Sequence, residues 1–257
     1  MATIYIDKGT VLVESPIGFI NFFPLPSGLP SGLTRMHLTR DIFEFAKRDL
    51  VSEEDTGAQE FKPADGEITY SSTGMQRTKL STGLRDLGAI IPYSTGFTWL
   101  AVDTYDLVSA NVAAATTLDW STSPNRGLLF SFRSGGVRFN ARVGGIGGVS
   151  AIPVVSPIPT LPMMAFASYD PSEPTIAAHI PHADQYDSTT FDPAEWAPNS
   201  EAGLGIGMSA AAPEIETATT SNMRLFAQWD RALTQAEMNT TYSILKPWLS
   251  QYGVNIA

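Results

Sequence analysis

Arginines are the side chains in this sequence whose type and spacing could do chemistry. Arg126, Arg133, Arg138 and Arg142 fall within seventeen residues, and no Asp or Glu occurs between Asp119 and Asp170. A guanidinium presents a planar fork of N–H donors that matches the paired oxygens of a carboxylate or phosphate. Arg133, Arg138, Asn140 and Arg142 are therefore candidate ligand-binding residues. Something acidic should offset the arginines. Carboxylates from an adjacent strand are the plainer source. An anionic ligand, or the acidic surface of a neighbouring subunit, is the sharper one.

A second group lies at 184–201, where Asp184, Asp187, Asp192, Glu195 and Glu201 accompany Tyr186, Phe191 and Trp196. Hard oxygen ligands at this spacing could bind calcium, with Asp184 and Asp187 as candidate ligands, although no EF-hand pattern is present. No other cofactor is expected. Tyr186 and Trp196 could offer apolar faces to sugar rings. The plainer expectation is a solvated loop with Trp196 folded onto the core.

The remaining candidates are weaker. His179-x-x-His182 could ligate a metal only with further ligands, and Pro181 between them opposes a helix that would align them. Two solvated histidines at a strand end are expected instead. No Gly-x-Ser-x-Gly turn marks a nucleophile.

Composition narrows the classes. Lys and Arg total 16 against 26 Asp and Glu, a net charge of −10. Nucleic-acid binding needs clustered cations that neutralise phosphates, so it is not expected. Attachment to anionic lipid is disfavoured for the same reason. The chain has no Cys, which excludes a disulfide scaffold and Cys-ligated metals. No apolar run approaches the roughly 18 to 20 residues of a membrane span. The N-terminal residues show no signal-peptide pattern, so synthesis in a host cytoplasm without export is the expectation.

The elements that must position these groups read as strands. Apolar stretches are short, rich in β-branched and aromatic residues, and separated by Gly, Pro, Ser and Asn, as in an all-β sandwich or barrel. Strands are expected near 3–6, 10–13, 67–71, 76–80, 97–103, 163–169, 175–180 and 203–208. Phe97 to Val102 is apolar on both parities, so it should be a central strand covered on both faces. The clearest hairpin is 127–143, with a Gly135-Gly136 turn that sets Phe132 opposite Phe139 and Arg133 opposite Arg138. Like charges directly opposite one another are destabilising there. Residues 144–162 read as a long loop with an extended piece, 181–201 as a polar loop, and 37–50 as a short helix. Thr234-Gln235-Ala236-Glu237 forms a capping box, with Leu233 and Met238 as its staple. Pro247 should kink or restart the helix that follows, and Gly253 should end it.

The passage Met223 to Glu237, with Trp229-Asp230-Arg231-Ala232-Leu233-Thr234 at its centre, resembles the last strand of concanavalin A-like (laminin G-like) jelly-roll domains. The resemblance covers roughly residues 65–253. It implies two antiparallel sheets packed face to face, as a jelly-roll sandwich with a short C-terminal helix. It also implies roles as diverse as glycan-binding modules, polysaccharide-cleaving enzymes and adhesive parts of virus particles. Glycoside-cleaving relatives carry Glu-x-Asp-x-x-Glu on a strand. Here Glu53-Glu54-Asp55 is followed by Ala58 in a polar stretch, so the motif fails and no enzyme is expected.

The expected organisation is an extended N-terminal arm at 1–35 and a jelly-roll domain at 36–257. The apolar residues Phe19, Ile20, Phe22, Phe23 and Leu25 exceed what a solvated tail carries, so they are candidate interface residues. By analogy with signal-less jelly-roll proteins, the expected role is a non-catalytic virion component of a bacteriophage: a tail tip, fibre or surface decoration. It would bind host surface polysaccharide, neighbouring virion proteins, or both, as a homo-oligomer within an assembly. A carbohydrate-active enzyme on the same fold and a purely structural assembly protein are the alternatives.

Overall fold

A computed structural model describes residues 3–7, 10–15, 18–21, 24–39, 49–52, 59–61, 67–72, 74–77, 83–86, 96–105, 112–117, 127–133, 136–142, 149–156, 159–190, 203–207 and 221–257. An antiparallel meander comes first, with β1 (Thr3–Asp7), β2 (Thr10–Ser15) and β3 (Gly18–Asn21) paired in that order. The strands that follow are β4 (Leu33–Leu38), β5 (Gln59–Phe61), β6 (Ile68–Ser71), β7 (Gly74–Arg77), β8 (Gly83–Asp86), β9 (Phe97–Tyr105) and β10 (Val112–Thr116). Next come β11 (Gly127–Arg133), β12 (Gly136–Arg142), β13 (Val149–Ala151), β14 (Met163–Asp170), β15 (Thr175–Ile180), β16 (Gln185–Thr190), β17 (Leu204–Ile206) and β18 (Ser221–Trp229). Helix α1 (Gln235–Gln251) follows the last strand.

These form two facing antiparallel sheets. One has the order β13-β12-β11-β10-β17-β8-β5. The other runs β16-β15-β14-β9-β18-β7-β6, and β4 joins it along the far half of β18. The chain is a two-sheet β-sandwich closed by a C-terminal helix.

Strand β9 shows why these residues need both layers. Its period of two sends Phe97, Trp99 and Ala101 between the sheets, and Leu100 and Val102 to the opposite face. The inter-sheet core centres on Phe139, whose ring meets Phe97 at 6.2 Å, Trp99 at 5.9 Å and Phe130 at 6.4 Å, all edge to face. The outer face is covered by α1 and the turn before it, where Leu233, Met238, Leu245, Trp248 and Leu249 pack on Leu100, Phe166 and Trp229. A bulge at Arg224 shifts the phase of β18. Met223 and Phe226 therefore both face the interior, while Leu225, Ala227 and Trp229 face the helix.

The capping box at the start of α1 is present. Thr234 Oγ1 accepts from Glu237 N at 3.3 Å, and Glu237 Oε2 accepts from Thr234 N at 2.9 Å. Arg231 adds a bidentate pair to the Glu237 carboxylate at 3.0 and 2.6 Å. Thr98 Oγ1 bridges the same turn by donating to Arg231 O and accepting from Leu233 N. The Asp-Arg-Ala-Leu-Thr motif thus joins the last strand to the helix.

Several expectations are corrected. Helix α1 runs through Pro247 without restarting, although Pro247 has no N–H to donate to the Ser243 carbonyl. His37 and Leu38, expected to open a helix, end β4; residues 40–48 lie outside the described residues. The polar stretch after Ile180 is not all loop. Pro181–Ala183 makes a single 3-10 turn, and Gln185–Thr190 adds to the sheet as its edge strand.

Residues 24–33 run against the sandwich. Trp248 Nε1 donates to Pro24 O, Trp229 Nε1 to Pro30 O, Arg231 Nε to Ser31 O, and Asp230 N to Gly32 O. Leu25 is half-buried against the helix cluster. Position 35, where the arm was expected to end, lies inside β4. Phe19 and Ile20 lie on β3; Phe22 and Phe23 lie outside the described residues.

Candidate functional site

The expected hairpin forms, but in another register. Arg133 pairs with Gly136, so the connection spans positions 134 and 135 rather than Gly135-Gly136. Phe132 faces Val137, and Phe139 faces Phe130; all four are buried in the core. The reason is tertiary. Gly136 pairs with Val154, and a Cβ at Gly136 would collide with the Pro153 carbonyl. The glycine is spent on that close approach and on the start of β12. Arg138 consequently faces Ser131, not Arg133, and the direct like-charge opposition is avoided.

Alternation places Ser131, Arg133, Arg138 and Asn140 on the outer face of the seven-stranded sheet. Ser150 of β13 lies opposite Asn140. Three N–H donors converge on Ser150 Oγ: Arg138 Nε at 3.1 Å, Arg138 Nη2 at 2.9 Å and Asn140 Nδ2 at 2.8 Å. Asn140 is only 6% exposed and Ser131 1%, so the cluster is partly sunk into the surface. Ser131 Oγ is 3.4 Å from the Arg138 carbonyl. Arg133 is half-buried, and its side chain makes no hydrogen bond or ion pair among the described residues. Arg142 pairs with Gly127 at the far end of β12.

Asp187 approaches this corner from the facing sheet. Its Oδ2 accepts from Ile152 N at 2.6 Å, which ties the edge strand β16 to the chain just beyond β13. Asp184 has a left-handed backbone, φ 50°, and its Oδ1 accepts from Gln235 Nε2 at 3.3 Å. The two candidate calcium ligands therefore have separate partners. Among the described residues, no group of three or more His, Cys, Asp or Glu could hold a metal ion.

Tyr186 is 43% exposed and stands opposite His179, with ring centroids 5.9 Å apart. Both belong to the helix-covered face, so Tyr186 and the arginines sit on opposite sides of the sandwich. Trp196 lies outside the described residues. His179 is not solvated as expected. It is fully buried, with Nδ1 at 2.9 Å from the Gln185 carbonyl and Nε2 at 2.7 Å from Asn239 Oδ1. Both ring nitrogens are engaged, so it forms no ligand pair with His182. The ring of His182 titrates below the usual histidine range because of burial and the nearby Lys246 charge.

Sequence reasoning missed Ser131 and Ser150. The signal for Ser150 was faint: a three-residue extended piece, Val149-Ser150-Ala151, between glycines and prolines.

No protein-family model and no curated protein sequence matches this chain. Solved structures do share its fold. One is the binding domain of Paraclostridial Mosquitocidal Protein 1, at 12% identity and TM-score 0.59, covering 82% of this chain and 52% of that one. The botulinum neurotoxin serotype C1 binding domain is similar at 10% identity and TM-score 0.57, covering 82% and 51%. The botulinum neurotoxin type G receptor binding domain is similar at 11% identity and TM-score 0.55, covering 84% and 52%. The chain spans about half the length of each.

Proposed function

We propose that this chain is a non-catalytic binding module that recognises a host-surface glycan through the outer face of β11, β12 and β13. The observation that carries the reading is the convergence of Arg138 and Asn140 on Ser150, beside Arg133, in a stretch without acidic residues. Amide, hydroxyl and guanidinium groups held on paired strands are suited to reading hydroxyl-rich rims. That similar structures are named as binding domains supports the reading at the level of fold. Weak single sites would gain from many copies, as in a particle-borne or oligomeric arrangement.

The test is a glycan array probed with the intact chain, with Arg133→Ala and Arg138→Ala alongside. Binding to a subset of glycans, lost in Arg138→Ala, is the expected result. An enzyme would instead release new reducing ends or unsaturated sugars from a polysaccharide, and that result would overturn the proposal.

A second reading, attachment to a larger assembly such as a phage particle, is favoured by one feature. Among the described residues, β1, β2 and β3 pair with one another and with neither sandwich sheet. They could mount the sandwich on a neighbouring copy or another virion protein. Light scattering of the chain with and without residues 1–23 tests this: an oligomer that becomes monomeric on truncation supports attachment, and an unchanged mass opposes it.

A further inference from the structure

We propose that His182 is an acid-operated latch: when its ring takes up a proton, the Pro181–Ala183 turn leaves helix α1 and loosens the start of edge strand β16. The turn joins β15 to β16 and packs against α1 and β14. Both ring nitrogens of His182 are buried there, and neither has a hydrogen-bond partner. A neutral imidazole carries one N–H, whereas the imidazolium carries two and a full charge. Burying that charge without acceptors costs far more than burying the neutral ring. The charged ring therefore has to reach water, while the neutral ring is free to stay.

The charged group that acts on the ring is itself a cation. Burial first, and then the charge of Lys246 on α1, hold His182 in its neutral form. Lys246 Nζ donates to the Tyr242 hydroxyl at 2.8 Å and lies 5.2 Å from the centre of that ring. Glu237, at the start of α1, is bound by Arg231. The ionisable residues of β14, Tyr169 and Asp170, lie at its far end, where Asp170 pairs with Thr175. Asp184, just after the turn, accepts from Gln235 Nε2. Tyr186 and Asp187 of β16 are turned to His179 and to Ile152 N. His179 of β15 differs from His182, because an oxygen lies 2.9 Å and 2.7 Å from its two ring nitrogens.

The turn is held lightly. Its internal backbone bond runs from Asp184 N to Pro181 O at 3.0 Å. Among the described residues, one hydrogen bond, from Gln235 to Asp184 at 3.3 Å, joins it to α1. Asp184 sits at φ 50°, in the left-handed region that residues other than glycine disfavour. Strand β16 begins at Gln185 and, among the described residues, pairs with β15 alone. Segments with few ties open locally while the rest of a fold stays closed. The linkage sets the direction. A ring that titrates below the ordinary 6.5 when docked binds its proton more weakly there than in water. Docking is therefore unopposed above 6.5 and weakens as the pH falls below it.

The experiment follows amide hydrogen exchange of the full chain, corrected for intrinsic rates, from about pH 7 to about pH 4.5. In the wild type, protection at Asp184, Gln185 and Tyr186 should fall about tenfold over this range, while β9 and β18 keep theirs. His182→Phe keeps a ring that cannot titrate, and its protection should hold throughout. Lys246→Met removes the neighbouring cation and should shrink the loss. A second measurement needs no variant: NMR titration of the His182 ring should give a midpoint below 6.5, and the loss of protection should level off at that midpoint. If His182→Phe does not fold, this agreement in the wild type decides the matter. A ring midpoint at 6.5, as for a side chain that swings into water alone, would overturn the latch. So would protection that is unchanged down to about pH 4.5, or that falls equally in His182→Phe.

Discussion

Arg77 Nη2 and Asp103 Oδ2 meet at 2.6 Å in the interior of the sandwich, with side chains 2% and 0% exposed. Arg77 reaches from β7 toward Gly207, beyond β17 of the facing sheet, and Asp103 Oδ1 also accepts from Asn222 N at 2.9 Å. The pair therefore lies between the two layers. Removing one partner strands the other charge away from water. Arg77→Met or Asp103→Leu alone should each cost about 3–5 kcal/mol, and the double variant should cost less than their sum. Urea unfolding of all four proteins forms the required cycle; strict additivity would show that the pair does not couple.

The same carboxyl sets a pH dependence. Burial pushes Asp103 up to about 6 from the ordinary 3.8, against the opposing pull of the Arg77 guanidinium. The folded chain then holds this proton more tightly than the unfolded chain. The contribution to stability is complete below 3.8 and is lost as the pH rises through about 6. Relative to Asp103→Asn, the wild type should lose stability as the pH rises through that window. A flat difference between the two proteins, followed by chemical denaturation, would contradict this origin.

Glu237 works in the opposite sense. Its bonds from Arg231, with those from Thr234, hold the carboxyl down at about 2 against the ordinary 4.5. Its contribution is present above 4.5 and is lost as the pH falls toward 2. Glu237→Gln should cost about 1 kcal/mol at neutral pH, the usual worth of a helix cap. Thermal unfolding should show that deficit shrinking on acidification.

Gly136 and Asp187 hold the third strand of the candidate site. Gly136→Ala forces a methyl into the Pro153 carbonyl and should cost about 1–3 kcal/mol. Asp187→Asn removes the charged acceptor of Ile152 N and should cost about 1–2 kcal/mol. Both should speed amide exchange locally, at Val137 in the first and at Ile152 in the second. They should also weaken ligand binding, since Ser150 is displaced with β13. Exchange that rises uniformly across the molecule would instead point to global loosening.

The sequence by itself determined what depends on neighbours along the chain. The alternation of Phe130 and Phe132 with Ser131 and Arg133 required a strand with one buried face, because successive side chains leave a strand on opposite sides. Thr234 and Glu237 lie one helical turn apart, so their mutual capping needed no other part of the molecule. The arginine cluster was visible for the same reason: Arg133, Arg138 and Arg142 share one hairpin. Tertiary structure decided what depends on distant backbone. The Pro153 carbonyl selected the hairpin register, and with it the partner of Arg138. Strand β16 was hidden because a polar edge strand is held by backbone bonds to β15 and leaves little apolar pattern. Ser150 reached the donors of Arg138 and Asn140 only through the pairing of β13, and Tyr186 was parted from them because the two sheets turn their outer faces in opposite directions.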